Sequence, residues 1–132
     1  MLHILEHTVF EDKQALVVED DAHYLLALSS LLKGLKIHYK RNTTGANVLQ
    51  QAQRVRPDFI LLDMDLPDGD PFKIYERLRE DGDLRHVPVI AIADGRLIED
   101  LLPRILNSGF AGHISKPIPH RAFEDLLRRV LH

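Results

Sequence analysis

The grouping of apolar residues constrains this chain more than any other feature. Three short segments, residues 14–19 (QALVVE), 58–62 (DFILL) and 87–93 (VPVIAIA), are apolar almost throughout. Runs of that kind read as strands buried on both faces, because a strand with one wet face would alternate apolar and polar residues. Between them the period changes. Residues 22–35 place Leu25, Leu26, Leu28, Leu31, Leu32 and Leu35 at helical spacing, with Gly34 near the end. Residues 36–41 (KIHYKR) alternate like a more exposed strand. Residues 44–54 read as a helix with Thr43 or Thr44 as N-cap. Asp70 followed by Pro71 is an N-cap and an N1 proline, which predicts a helix to about Glu80. Residues 98–108 are helical in pattern but contain Pro103, so this helix should be kinked or start late. Residues 113–115 form a short strand, and 119–131 a last helix with Phe123, Leu126, Leu127, Val130 and Leu131 on one side.

Five strand–helix alternations predict an α/β domain, a parallel sheet with helices on both faces. In such sheets, sites form beyond the carboxyl ends of the strands, where the strand order reverses. The charged residues follow that rule. Glu19, Asp20 and Asp21 end the first strand, Asp63 and Asp65 the third, Asp94 the fourth, and Lys116 the fifth. Converging carboxylates repel one another unless something positive sits among them. Oxygen donors favour a hard cation, and Mg²⁺ typically takes one or two carboxylates and keeps several waters. A carboxylate beside a metal and a lysine can accept a phosphoryl group, with both cations neutralising the developing charge.

Local explanations compete for single residues. Asp68-Gly69 is a turn and Asp70 a cap; Asp21 is best read as the N-cap of the first helix; Asp94-Gly95 also fits a plain turn. The site reading rests on four strand ends carrying charge in the right order.

Composition bounds the rest. A chain of 132 residues, 45% hydrophobic and 28% charged, is enough for one globular domain with a real core. The net charge of −3 and the absence of a Lys/Arg run argue against direct nucleic-acid binding. No apolar run is long enough to span a membrane, and the N-terminus lacks the pattern of a signal peptide. Without cysteine, disulfides, thiol catalysis and thiolate metal sites are excluded. A cytoplasmic location is the simplest expectation.

In order, LVVEDD (16–21), RPDFILLDMDLPDGD (56–70), VPVIAIA (87–93), Glu99-Asp100, the turn from Gly109 to Gly112 and HISKPI (113–118) resemble the receiver domain of two-component response regulators, of the single-domain chemotaxis-regulator kind. The resemblance covers residues 14–131, nearly the whole chain. It implies a flavodoxin-like, doubly wound five-stranded parallel sheet of order 2-1-3-4-5 with five helices. It implies Asp63 as phosphoacceptor, Asp20 as a direct Mg²⁺ ligand, Glu19 acting mainly through water, the backbone carbonyl of Asp65 as a further ligand, and Lys116 on the phosphoryl oxygen. The Lys116–Pro117 bond is often cis in such proteins. The phosphoryl donor would be a histidine kinase, a phosphotransfer protein or a small phosphodonor. Output would pass to a protein partner, and a homodimer would use the fourth helix, fifth strand and fifth helix. A receiver is a signalling protein rather than an enzyme. Residues 1–12 are an extension to a receiver of residues 13–132. In it, Leu2, Ile4, Leu5 and Val9 could form an amphipathic turn, while His3 and His7 lack a third ligand for a metal.

The sequence departs from the family at two switch positions. Ala93 stands where a Thr or Ser hydroxyl usually meets the phosphoryl group, and His113 where Tyr or Phe usually stands. Asp94 adds a charge that would repel the phosphoryl group if it pointed inward. His113 reads equally well as a surface imidazole. Two other readings remain. One is a degenerate receiver that binds partners without phosphorylation. The other is a phosphohydrolase of the haloacid dehalogenase class, which shares the Asp63-Met64-Asp65 spacing. It fits less well, because the acidic pair lies upstream and Pro67 follows the motif.

Overall fold

The computed structural model describes residues 10–67 and 69–131. Leu2, Ile4, Leu5, Val9, His3, His7 and Asp68 lie outside the described residues. The elements alternate as β1 (Gln14–Val18), α1 (Ala22–Gly34), β2 (His38–Asn42), α2 (Val48–Val55), β3 (Phe59–Asp63), α3 (Pro71–Glu80), β4 (Val89–Asp94), α4 (Gly95–Ser108), β5 (Gly112–Lys116) and α5 (His120–Val130). The five strands form one parallel sheet in the order β2-β1-β3-β4-β5. The expected flavodoxin-like topology is therefore what the chain adopts.

Alternation along the central strands sorts the core into two halves. Ala15, Val17, Phe59, Leu61, Ile90 and Ile92 face α1 and α5, where Leu28, Leu32, Phe123 and Leu127 cover them. Leu16, Val18, Ile60, Leu62, Ala91 and Ala93 face the other way, against Ala52 of α2, Phe72 and Leu78 of α3, and Ile105 of α4. Both faces are dry, which is why these strands show no polar alternation in sequence. After β2 the chain returns past β1 to add β3. The reversal opens a crevice between the carboxyl ends of β1 and β3.

Local chemistry sets most helix starts. Asp21 Oδ1 accepts from the His23 and Tyr24 amides at 2.8 and 3.4 Å, so it caps α1 as read from sequence. Asp70 Oδ1 accepts from Phe72 N at 3.0 Å, with Pro71 at N1. Two starts differ from expectation. The start of α2 is Val48, not Thr44, and neither Thr43 nor Thr44 is its N-cap. Asn42 holds the preceding turn: its Oδ1 accepts from Thr44 N and Gly45 N, and its Nδ2 donates to Ala46 O. Gly45, at φ +83°, makes that turn, and Asn47 enters α2 in the left-handed region without a side-chain cap. By contrast α4 starts early, at Gly95, and runs through Pro103. Asp94 Oδ1 accepts from Leu97 N at 3.0 Å, so Asp94 is a helix cap rather than a plain turn.

The close approach of α5 to β5 depends on Gly112. A Cβ there would lie 2.6 Å from Leu126 Cδ1. Gly112→Ala should therefore lower stability in urea by about 1–3 kcal/mol, the usual cost of overpacking. A variant as stable as the parent would mean that α5 leans away freely.

Candidate functional site

The site lies where the strand order predicts, at the carboxyl ends of β1, β3 and β5. Asp63 is the last residue of β3 and is 1% exposed. Its position is fixed from the β4 side: Asp63 is in register with Ile92, and Met64 N donates to Ile92 O at 2.8 Å. Glu19 follows β1 and is also buried; its amide donates to Asn42 O at 3.0 Å, at the end of β2. Asp20 is exposed at the rim. Glu19, Asp20 and Asp63 each offer a carboxylate oxygen, and these atoms lie within 4.8 Å of one another.

Lys116 closes the cluster from β5, in register with Asp94. Its Nζ lies 2.5 Å from Glu19 Oε1 and 3.7 Å from Asp63 Oδ1. The nearer contact is a close ion pair; the farther is a looser electrostatic one. Asp63 Oδ1 accepts from Asp65 N at 3.0 Å, and Glu19 Oε2 from Asp21 N at 3.4 Å. The Lys116–Pro117 peptide is cis.

Burial pushes the Asp63 carboxyl up to about 7, helped by its hydrogen bond and charge repulsion with Glu19; the Asp65 amide and Lys116 oppose the rise. The Asp20 carboxyl is raised too, by burial first and then by Asp63. At Lys116 burial acts downward, but its contacts with Glu19 and Asp63 outweigh it and its pKa is raised. The rim thus holds more negative charge than one ammonium balances. An all-oxygen donor set carrying unbalanced charge fits a small divalent cation.

The remaining predicted residues fall in different places. Asp65 is exposed two residues beyond β3, its amide turned to Asp63. Ala93 is fully buried in β4, in register with Ser115, and offers no hydroxyl. His113 is exposed in β5, in register with Ala91. The Asp94 side chain is engaged by α4. Sequence reasoning missed Tyr24, whose ring lies under Lys116 with its centroid 4.3 Å from Nζ. Only the helical phase of α1 relative to its cap could have pointed to it.

The family described as "Response regulator receiver domain" matches residues 15–129. The chain is 31% identical over 119 residues to the polar-differentiation response regulator DivK of Brucella anthropi, covering 90% of this chain and 96% of that relative. Among solved structures, the receiver domain of sensor histidine kinase PA1611 from Pseudomonas aeruginosa, described with a magnesium ion coordinated in its active-site cleft, matches with a TM-score of 0.81 and 25% identity, covering 91% of this chain and 98% of that one. The chemotaxis response regulator CheY4 of Vibrio cholerae matches with a TM-score of 0.80 and 22% identity, covering 91% of this chain and 99% of that one.

The raised Asp63 pKa makes a testable statement about stability. Its folded value lies above the ordinary 3.8, so the folded state binds more protons between the two values. Stability from this group is present at low pH and lost as pH rises through about 7. Lys116 is raised above 10.5 and does not titrate in that window. In metal-free buffer, Asp63→Asn should stabilise the fold more at about pH 8 than at about pH 5, read by chemical denaturation. Equal gains at both would show that the cluster does not hold a proton on Asp63.

Proposed function

The chain belongs to the response regulator receiver domain family, and from that premise we propose that it accepts a phosphoryl group on Asp63 in a Mg²⁺-dependent reaction. The donor is a histidine kinase or phosphotransfer protein, and the signal passes to a protein partner. One observation carries the reading: a buried Asp63 beside two further carboxylates, with Lys116 Nζ 3.7 Å from its Oδ1.

In this reading Asp63 Oδ1 is occupied by the Asp65 amide, so Oδ2 attacks phosphorus. A P–O bond forms as the P–N bond to the donor imidazole breaks, and the imidazole leaves with its electron pair and takes a proton. Lys116 turns its ammonium to the phosphoryl oxygens and stabilises charge that grows there. Asp20, Asp63 and the Asp65 carbonyl would hold Mg²⁺, with Glu19 acting mainly through water. The ion would supply positive charge against the phosphoryl group and against the carboxylates themselves. The magnesium in the cleft of the similar PA1611 receiver supports this assignment.

Residues 13–132 are the receiver unit of the proposal, and 1–12 its extension. It is a cytoplasmic signalling module rather than an enzyme. Among the described residues no helix is long and apolar enough to cross a membrane. A homodimer would form through the face made by α4, β5 and α5, and the proposal includes no direct nucleic-acid partner.

Ala93 and His113 alter the read-out more than the chemistry. A hydroxyl hydrogen-bonded to a charged phosphoryl group contributes about 1.5–3 kcal/mol, and Ala93 cannot supply it. We infer weakened coupling between Asp63 and α4. Phosphorylation should then move α4 and β5 amides little in NMR spectra; large shifts there would refute weak coupling. The degenerate-receiver alternative draws on Ala93, but Asp94 gives it less support because its carboxylate caps α4.

Incubation with phosphoramidate or acetyl phosphate and Mg²⁺ should add one phosphoryl group by intact-mass spectrometry. Asp63→Asn, or omission of the metal, should abolish the adduct. No adduct on the parent protein would overturn the acceptor assignment.

A further inference from the structure

Lys116 reaches across the strand ends with its side chain 8% exposed. Three groups define where its ammonium sits: Glu19 Oε1 at 2.5 Å, Asp63 Oδ1 at 3.7 Å and the face of the Tyr24 ring at 4.3 Å from Nζ to centroid. Two are carboxylates. The third is an aromatic face, attracted to a cation by its quadrupole, and more strongly where water is excluded.

Tyr24 arrives there through local chain geometry. Asp21 Oδ1 takes the His23 and Tyr24 amides and so fixes the first turn of α1. Side chains in a helix lean toward its N-terminus, and that end of α1 lies beside the β1 carboxyl end and its acids. His23 packs edge-on against the Tyr24 ring, with centroids 5.6 Å apart.

The ring does something that Glu19 cannot. Glu19 would be shared, because Lys116 draws on its carboxylate and a cation in the cluster would draw on it too. It also neutralises the ammonium it holds. An aromatic face positions an ammonium while leaving its charge available to an incoming anion. With Ala93 in place of a hydroxyl, fewer side chains order that anion, and the placement of Lys116 carries more weight.

We propose that Tyr24 is a positioning residue whose ring fixes the Lys116 ammonium at the mouth of the acidic cluster. Its effect on rate rests on Asp63 being the phosphoacceptor; the contact itself does not. The test therefore reads both. In NMR spectra the Lys116 ε-methylene protons should be ring-current shifted upfield in the parent and in Tyr24→Phe, and return toward free-lysine positions in Tyr24→Leu. Phosphorylation by phosphoramidate with Mg²⁺ should slow roughly three- to tenfold in Tyr24→Leu, while Tyr24→Phe keeps most of the rate. In a Lys116→Met background, Tyr24→Leu should cost nothing further, because its effect runs through the ammonium. An unshifted ε-methylene in the parent overturns the proposal, as does an equal loss from Tyr24→Leu with or without Lys116. A parent that is not phosphorylated but shows the ring-current shift would sink the acceptor assignment and leave the positioning contact standing.

Discussion

One ammonium holds together the acidic rim of this sheet. Glu19 and Asp63 are buried and Asp20 sits at their edge; burial first, and then the neighbouring Glu19, pushes the Asp63 carboxyl toward neutrality. Lys116 offsets part of that repulsion through one short contact and one longer one. Removing one partner of a buried pair strands the other charge away from water, which is far costlier than losing an exposed pair. The lysine is therefore structural, and in the proposed reaction it would be chemical as well.

The rest of the fold makes that concentration of charge sustainable. The central strands bring their last residues to one level, and two dry helical layers hold the sheet rigid beneath them. Glu19 N donates a hydrogen bond to Asn42 O, and Met64 N, just after Asp63, donates one to Ile92 O, which ties both acids to neighbouring strands. Their backbones cannot separate without breaking hydrogen bonds of the sheet. Repulsion is thus stored as a demand for positive charge rather than relieved by motion.

Much of this was legible in the sequence because it follows from period and position. Asp63, Glu19, Asp20 and Lys116 each sit at the end of a strand, so fixing the strands fixed their convergence. Asp21 and Asp70 were legible because capping is local. The start of α2 was not, because two threonines offered an attractive cap while Asn42, outside the segment, captured the intervening backbone. The early start of α4 was masked by Pro103, whose disruptive tendency is local, whereas the cap that Asp94 supplies sets the first turn. Tyr24 was invisible as a site residue because its partner lies on the far end of the chain and ring-to-ammonium contacts leave no spacing pattern.

The Asp94 cap has a wider electrostatic effect. The first turn of α4 lies just beyond β4, and a bare helix N-terminus carries roughly half an elementary positive charge and binds anions readily. Asp94 sets a full negative charge on that end. The macrodipole of α4 is therefore screened from the crevice rather than aimed into it. Left to its own charges, the rim repels a phosphate. A cation settling among the carboxylates would reverse that sign, which would make attraction of an anion conditional instead of permanent.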